Sequence, residues 1–148
     1  MAFWVAFLGS ATADYLTKSW VRNNIPLGET RTIIDGLLTF VHWSNSGAAF
    51  GFLRNASLYL AIVSGACVVA AVVMYPKLRS LGLAFAISLG LVSGGALGNF
   101  LDRIRFGSVT DFVSLSFFAP IFNVADSAIV VGAFMMIGLL MFSMKESL

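Results

Sequence analysis

Four long apolar stretches, roughly 2–22, 56–75, 81–103 and 121–144, dominate this chain. Each is near the ~20 residues a helix needs to cross a hydrocarbon layer. Hydrophobic residues make up 59% of the chain, charged ones only 11%, and the mean hydropathy is +0.92. Soluble domains run at about half apolar and a quarter charged. The expected fold is an all-α integral membrane protein with four transmembrane helices, a single membrane-embedded domain over residues 1–148. The net charge of +2 is spread along the chain without a basic run, which gives no argument for nucleic-acid binding. The single cysteine, Cys67, lies within an apolar run and reads as helix filler, so no internal disulfide is expected.

The second stretch, "ASLYLAIVSGACVVAAVVMY", carries no charge, and Pro76 just beyond it reads as a stop. The first resembles a secretory signal but lacks a basic start and is interrupted by Asp14 and Lys18, so it reads as a retained helix. The connections are unequal, at 23–55, 76–80 and 104–120. Because successive helices cross in opposite directions, the two long connections share one side of the membrane. The first of these alternates in "TRTII" and "LLTFVHW" between Gly28, Gly36 and Gly47, which predicts a small β-sheet on the membrane surface.

The same alternation gathers the polar residues. Asp14 and Lys18 near the end of helix one, Asn99, Asp102 and Arg103 at the end of helix three, and Asn123 and Asp126 at the start of helix four all fall on the long-loop side. At 1.5 Å per residue, Asp14 lies about 12 Å below Arg22 and Asp126 about 7 Å below its helix start. These groups form one layer slightly below one surface. Charge counting leaves the orientation open: more Lys and Arg lie on the long-loop side, but "PKLRS" packs two cations into a short loop on the other.

An ionisable residue inside a membrane costs about 2.5–3.5 kcal/mol on insertion scales, so each is a functional candidate. Structural readings compete. With Asn123 as N-cap, Asp126 falls at the position of a capping-box carboxylate. Asp14 and Lys18 are spaced for an i,i+4 ion pair. Asn99 and Arg103 could form an inward polar stripe, Asp111 could be an ordinary loop aspartate, and Glu29 and Asp35 read as solvated. His42 is the only histidine, which excludes a two-histidine zinc protease, and beside Trp43 in a predicted strand it reads as structural. Aspartates remain. Two of them in contact can share one proton, the ionised partner activating water and the protonated one donating to the scissile carbonyl. Spacing alone leaves the pairing open.

The motifs "DYLTK" at 14–18, "NSGAAFG" at 45–51, "GGALGNFLDRIRFGSVTDF" at 94–112 and "FNVADS" at 122–127 resemble, in order, the signature blocks of the lipoprotein signal peptidase (signal peptidase II) family. The resemblance implies a multi-pass aspartic endopeptidase of the bacterial cytoplasmic membrane, with its active site toward the extracytoplasmic side and the sheet and both long loops outside. It implies cleavage of prolipoproteins before a diacylglyceryl-modified cysteine. Position within the motifs places the catalytic dyad on Asp111 and Asp126, with Asp14, Asn45, Asn99, Arg103 and Asn123 as substrate-binding or supporting residues. It calls for no metal and no cofactor, and its implied partners are the lipidated precursor and membrane lipids, met as a monomer. The short segment between Asp111 and Phe122 departs from longer family versions and implies a small flap.

Two other classes compete. A small carrier or channel using intramembrane carboxylates for cations or protons requires polar residues across the whole membrane, whereas the second helix has no charge. A magnesium-dependent transferase requires clustered carboxylates, which the spacing lacks.

Overall fold

The computed structural model describes residues 1–47 and 56–146. Helices α1 (Ala2–Asn24), α2 (Ser57–Leu78), α3 (Leu83–Phe106) and α4 (Val124–Glu146) are accompanied by strands β1 (Thr30–Ile34), β2 (Leu38–Asn45), β3 (Val109–Leu115) and β4 (Phe118–Phe122). The strands form one antiparallel sheet in the order β1-β2-β3-β4. Three of the four helices, α2, α3 and α4, combine the length and apolarity to cross a membrane. The fourth, α1, has the length but carries Asp14, Lys18 and Arg22.

The observed bounds differ from those expected at instructive places. α2 continues through Pro76 to Leu78; a proline in the last turn forfeits a single backbone bond, and the chain tolerates it there. α3 begins at Leu83 and extends to Phe106, where Gly107 at φ +72° closes the helix in the left-handed conformation and donates its N–H to the Arg103 carbonyl. α4 starts only at Val124, because residues 118–122 belong to β4. The second long connection therefore supplies half of the sheet, where only the first was expected to form strands. Pro120, which has no N–H to donate, sits on β4 at the sheet edge.

α3 is the hub of the bundle, flanked by α1, α2 and α4. Glycines make its closest contacts possible. A Cβ on Gly94 would collide with Ser10 Oγ and the Phe7 carbonyl of α1, and one on Gly98 with the Asp14 carboxylate. On another face, a Cβ on Gly95 would lie 2.5 Å from the Ala125 carbonyl of α4. Without water between helices, such van der Waals fit and interhelical polar contacts hold a membrane bundle together.

The buried stripe of α1 is Phe3, Phe7, Ser10, Asp14, Lys18 and Val21, spaced for one helical face. Its composition changes along the axis. Phe3 and Phe7 pack with Ala86 and stack toward Tyr75 at one end, while Val21 and Ile25 pack with Phe112 and Phe40 at the other. Between these apolar plugs lie Asp14 and Lys18, at 1% and 0% exposure. The remaining surface suits lipid: Ala61 is the only buried residue of α2, and Val130, Val131, Phe134 and Ile137 of α4 face outward.

Gly94→Ala is expected to lose about 1–3 kcal/mol through overpacking against α1, seen as a lower thermal unfolding midpoint in detergent. Gly138→Ala, whose Cβ meets nothing within 4 Å, should be neutral or stabilising. Equal behaviour of the two variants would contradict this packing.

Candidate active site

The polar layer predicted from the sequence is present and connected. Asp126, in the first turn of α4, reaches back with Oδ2 to accept the Asn123 backbone N–H at 3.2 Å, and Asn123 Oδ1 accepts the Asp126 N–H at 2.9 Å. This is the capping box expected from spacing. It also fixes the direction of the Asn123 amide: with its oxygen occupied by the helix, Nδ2 points away and donates to Asp111 Oδ1 at 2.6 Å. Asn123 therefore touches both aspartates.

Asp111 sits on β3, opposite Trp43 of β2, beside a register shift between Phe40 and Trp43. Such irregularities re-aim side chains. Its second oxygen accepts from Asn45 Nδ2 at 2.8 Å, while Asn45 Oδ1 takes the Gly47 N–H at 3.0 Å. Asn99, on α3, completes the set by donating from Nδ2 to Asp126 Oδ1 at 2.8 Å. Three asparagine amides thus present N–H groups to two carboxylates. The remaining half of the "NSGAAFG" motif, 48–51, lies outside the described residues.

Asp111 and Asp126 line one cavity of about 1060 Å³, together with Asn45, Asn99 and Arg103. Its other wall is largely apolar, with Trp43, Phe118, Ile121, Phe122 and Val130. Arg103 Nη1 donates to the Asn99 carbonyl at 3.3 Å, and its buried Nε has no partner among the described residues. Asp14 stands behind the cavity. Its Oδ1 accepts the Ala125 N–H at 2.9 Å and its Oδ2 pairs with Lys18 at 2.8 Å.

The spaced pair Asp14 and Lys18 thus exists, but Lys18 does more than the spacing implied: it also reaches Asn99 Oδ1 at 2.9 Å and Asp102 Oδ2 at 3.3 Å. Asp102 in turn accepts from Arg22 at 3.2 Å and from the Thr110 N–H at 3.0 Å, tying α1 and α3 to β3 one residue before Asp111. Lys18, Arg22, Asp102 and Thr110 were not among the predicted site residues. The run Asp14, Lys18, Arg22 at steps of four was the available signal. His42 serves as a structural residue, its Nδ1 2.7 Å from the Ile25 carbonyl, and Glu29 and Asp35 are exposed.

Asp111 is 2% exposed. Burial pushes its carboxyl from 3.8 up to about 6; the nearby Asp126 charge adds to the rise, and the Asn45 and Asn123 amides oppose it.

The family model described as signal peptidase (SPase) II matches residues 6–142. A lipoprotein signal peptidase of Syntrophomonas wolfei is 39% identical over 146 residues, covering 99% of this chain and 97% of that protein. One of Enterococcus faecalis is 37% identical over 122 residues, covering 80% and 74%. Two solved bacterial membrane enzymes share the fold: one has a TM-score of 0.87 at 27% identity, covering 96% of this chain and 88% of its own. The other has a TM-score of 0.80 at 28% identity, covering 92% and 90%.

The raised Asp111 pKa has a thermodynamic consequence. The folded state holds this proton more tightly than the unfolded chain, so stability falls as pH rises from about 4 to about 6 and stays lower above. The displacement corresponds to roughly 3 kcal/mol. In Asp111→Asn this component vanishes: the unfolding midpoint of the variant minus that of the native protein should climb between pH 4 and 6 and then level off. A difference independent of pH would show Asp111 titrating as an ordinary carboxylate.

Proposed function

The chain belongs to the signal peptidase II family, membrane proteases that remove the signal peptides of prolipoproteins, and from that premise we propose that Asp111 and Asp126 are its catalytic dyad. The observation that carries this reading is Asn123, hydrogen-bonded to both carboxylates at the wall of one cavity. Burial raises the Asp111 carboxyl, in keeping with a reading of Asp111 as the proton donor and Asp126 as the base. Water attacks the scissile carbonyl carbon while Asp126 takes its proton and Asp111 protonates the carbonyl oxygen. The tetrahedral intermediate then collapses: the C–N bond breaks, the leaving nitrogen takes the proton from Asp126, and the oxygen returns its proton to Asp111.

Asn45, Asn99 and Asn123 orient the dyad, and Asp14 fixes the start of α4 that carries Asp126. Arg103, with an unpartnered Nε among the described residues, is placed to receive substrate carbonyls or the polar head of the lipid. The apolar wall of the cavity suits a cysteine bearing a diacylglyceryl group, delivered from within the bilayer. The enzyme is read as a monomer acting among membrane lipids.

α1 is the fourth span of one membrane-embedded domain. At 1.5 Å per residue, its 23 residues reach about 35 Å. Its charges face α3, while Val5, Leu8 and Leu16 face outward. With four spans, both long connections lie on one side, which we take to be the extracytoplasmic one. A channel reading finds less support. The buried serines Ser10, Ser88 and Ser93 bond carbonyls of their own helices, so the polar groups do not continue as a path across the layer.

Asp111→Asn and Asp126→Asn should each lose about 10²–10⁴-fold in cleavage of a diacylglyceryl-modified precursor in detergent, with insertion retained. A chelator should leave the native rate unchanged. Full activity of Asp126→Asn would return that residue to its capping role alone.

A further inference from the structure

Lys18 is fully buried, 81 positions before Asn99 in sequence, and touches neither member of the dyad. Resting on the assignment of Asp111 and Asp126 as that dyad, we propose that Lys18 is a positioning residue, which acts on Asp126 by fixing the direction of the Asn99 amide.

An asparagine amide carries an acceptor at one end and two donors at the other, and packing alone scarcely distinguishes them. A lysine ammonium offers donors only. With Lys18 Nζ 2.9 Å from Asn99 Oδ1, the oxygen must face α1 and the NH2 group must face Asp126, 2.8 Å away. Rotating the amide by half a turn would set NH2 against the ammonium and oxygen against the carboxylate, losing a bond at each end. The weaker donation of Asn123 Nδ2 to the same oxygen, at 3.3 Å, points the same way but is neutral.

The other two amides at the dyad are oriented by backbone N–H groups: Gly47 for Asn45 and Asp126 for Asn123. Asn99 lies within α3, whose backbone N–H groups are engaged along the helix, so the donor must come from another helix. Lys18 is that donor. Asp14 and Asp102 hold the ammonium in place at 2.8 and 3.3 Å, and the small Gly98, beside Asn99, lets the Asp14 carboxylate approach. Lys18→Met removes the donor but leaves Asp14 and Asp102 without it; Arg22 still serves Asp102, so Asp14 is the charge stranded. Lys18→Met with Asp14→Asn removes the ion pair as a unit, which buried pairs tolerate far better than loss of one partner.

The test measures kcat and KM for a diacylglyceryl-modified precursor, and the thermal unfolding midpoint, in Asp14→Asn, Lys18→Met and the double variant, with Asp126→Asn in parallel. A misdirected catalytic group costs on the order of 10²-fold in rate. The double variant should fold, lose about 10–100-fold in kcat and keep KM within about two-fold, whereas Asp14→Asn loses less. A double variant with native kcat, or with its loss in KM, overturns the proposal. If Lys18→Met alone fails to fold, the double variant decides; if that fails too, Lys18 is a structural cation and the proposal falls. Activity in Asp126→Asn would instead overturn the dyad assignment, whatever the Lys18 variants do.

Discussion

An ammonium group withdrawn from water must be surrounded by acceptors, and much of this molecule is arranged around that demand. Lys18 is fully buried between two apolar clusters, where an unpaired charge would cost several kcal/mol. Its three acceptors come from α1 and α3, so satisfying it fixes the rotation of one helix against the other. Asp14 extends the constraint to α4 through the Ala125 N–H, and Asp102 extends it to β3 through Thr110. All the elements that carry site residues, except β2, are thereby tied to one polar cluster. β2 joins through the ladder that sets Trp43 opposite Asp111.

That cluster requires close approach, and the glycines of α3 supply it. Gly94 and Gly98 face α1 one turn apart, and Gly95 faces α4. The polar side chains that follow, Asn99 and Asp102, lie just past the last of these close contacts, where α1 and α4 are held near enough for short hydrogen bonds. Packing in the middle of the helices and polarity at their ends are two consequences of one sequence pattern. Charged side chains stay out of the opposite half of the helix interface, where the buried serines Ser88 and Ser93 bond carbonyls of their own helix.

Much of this was legible in the sequence because hydropathy and helical period survive folding unchanged. The long apolar runs, the gathering of Asp14, Asn99 and Asp126 in one layer and the capping box at Asn123 are all local or periodic signals. β3 was not legible as a strand. Val109, Thr110, Asp111 and Phe112 are all buried, so the strand has no solvent face and no alternation, and Asp111 read as a loop residue. Pro76 misled because its penalty depends on how much helix follows it. The reach of Lys18 to Asn99 was invisible for another reason: the i,i+4 spacing already gave the lysine a sufficient partner, and nothing in the sequence announces a second.

Charge balance connects the cluster to the chemistry. Asp14, Lys18, Asp102 and Arg22 are two acids and two bases in mutual contact, and their charges cancel. What remains at the cavity is Arg103 with Asp111 and Asp126. Two ionised aspartates would leave this group with a net negative charge, and two protonated ones with a positive charge; one proton between them makes it neutral. For charges partly withdrawn from water, neutrality is the least costly state. Asn123 links the two carboxylates: its helix-capping bond from the Asp126 N–H fixes the amide so that Nδ2 donates to Asp111. The cap at Asp126 and the proposed catalytic role are thus compatible, since the amide that caps the helix is the one that also reaches Asp111.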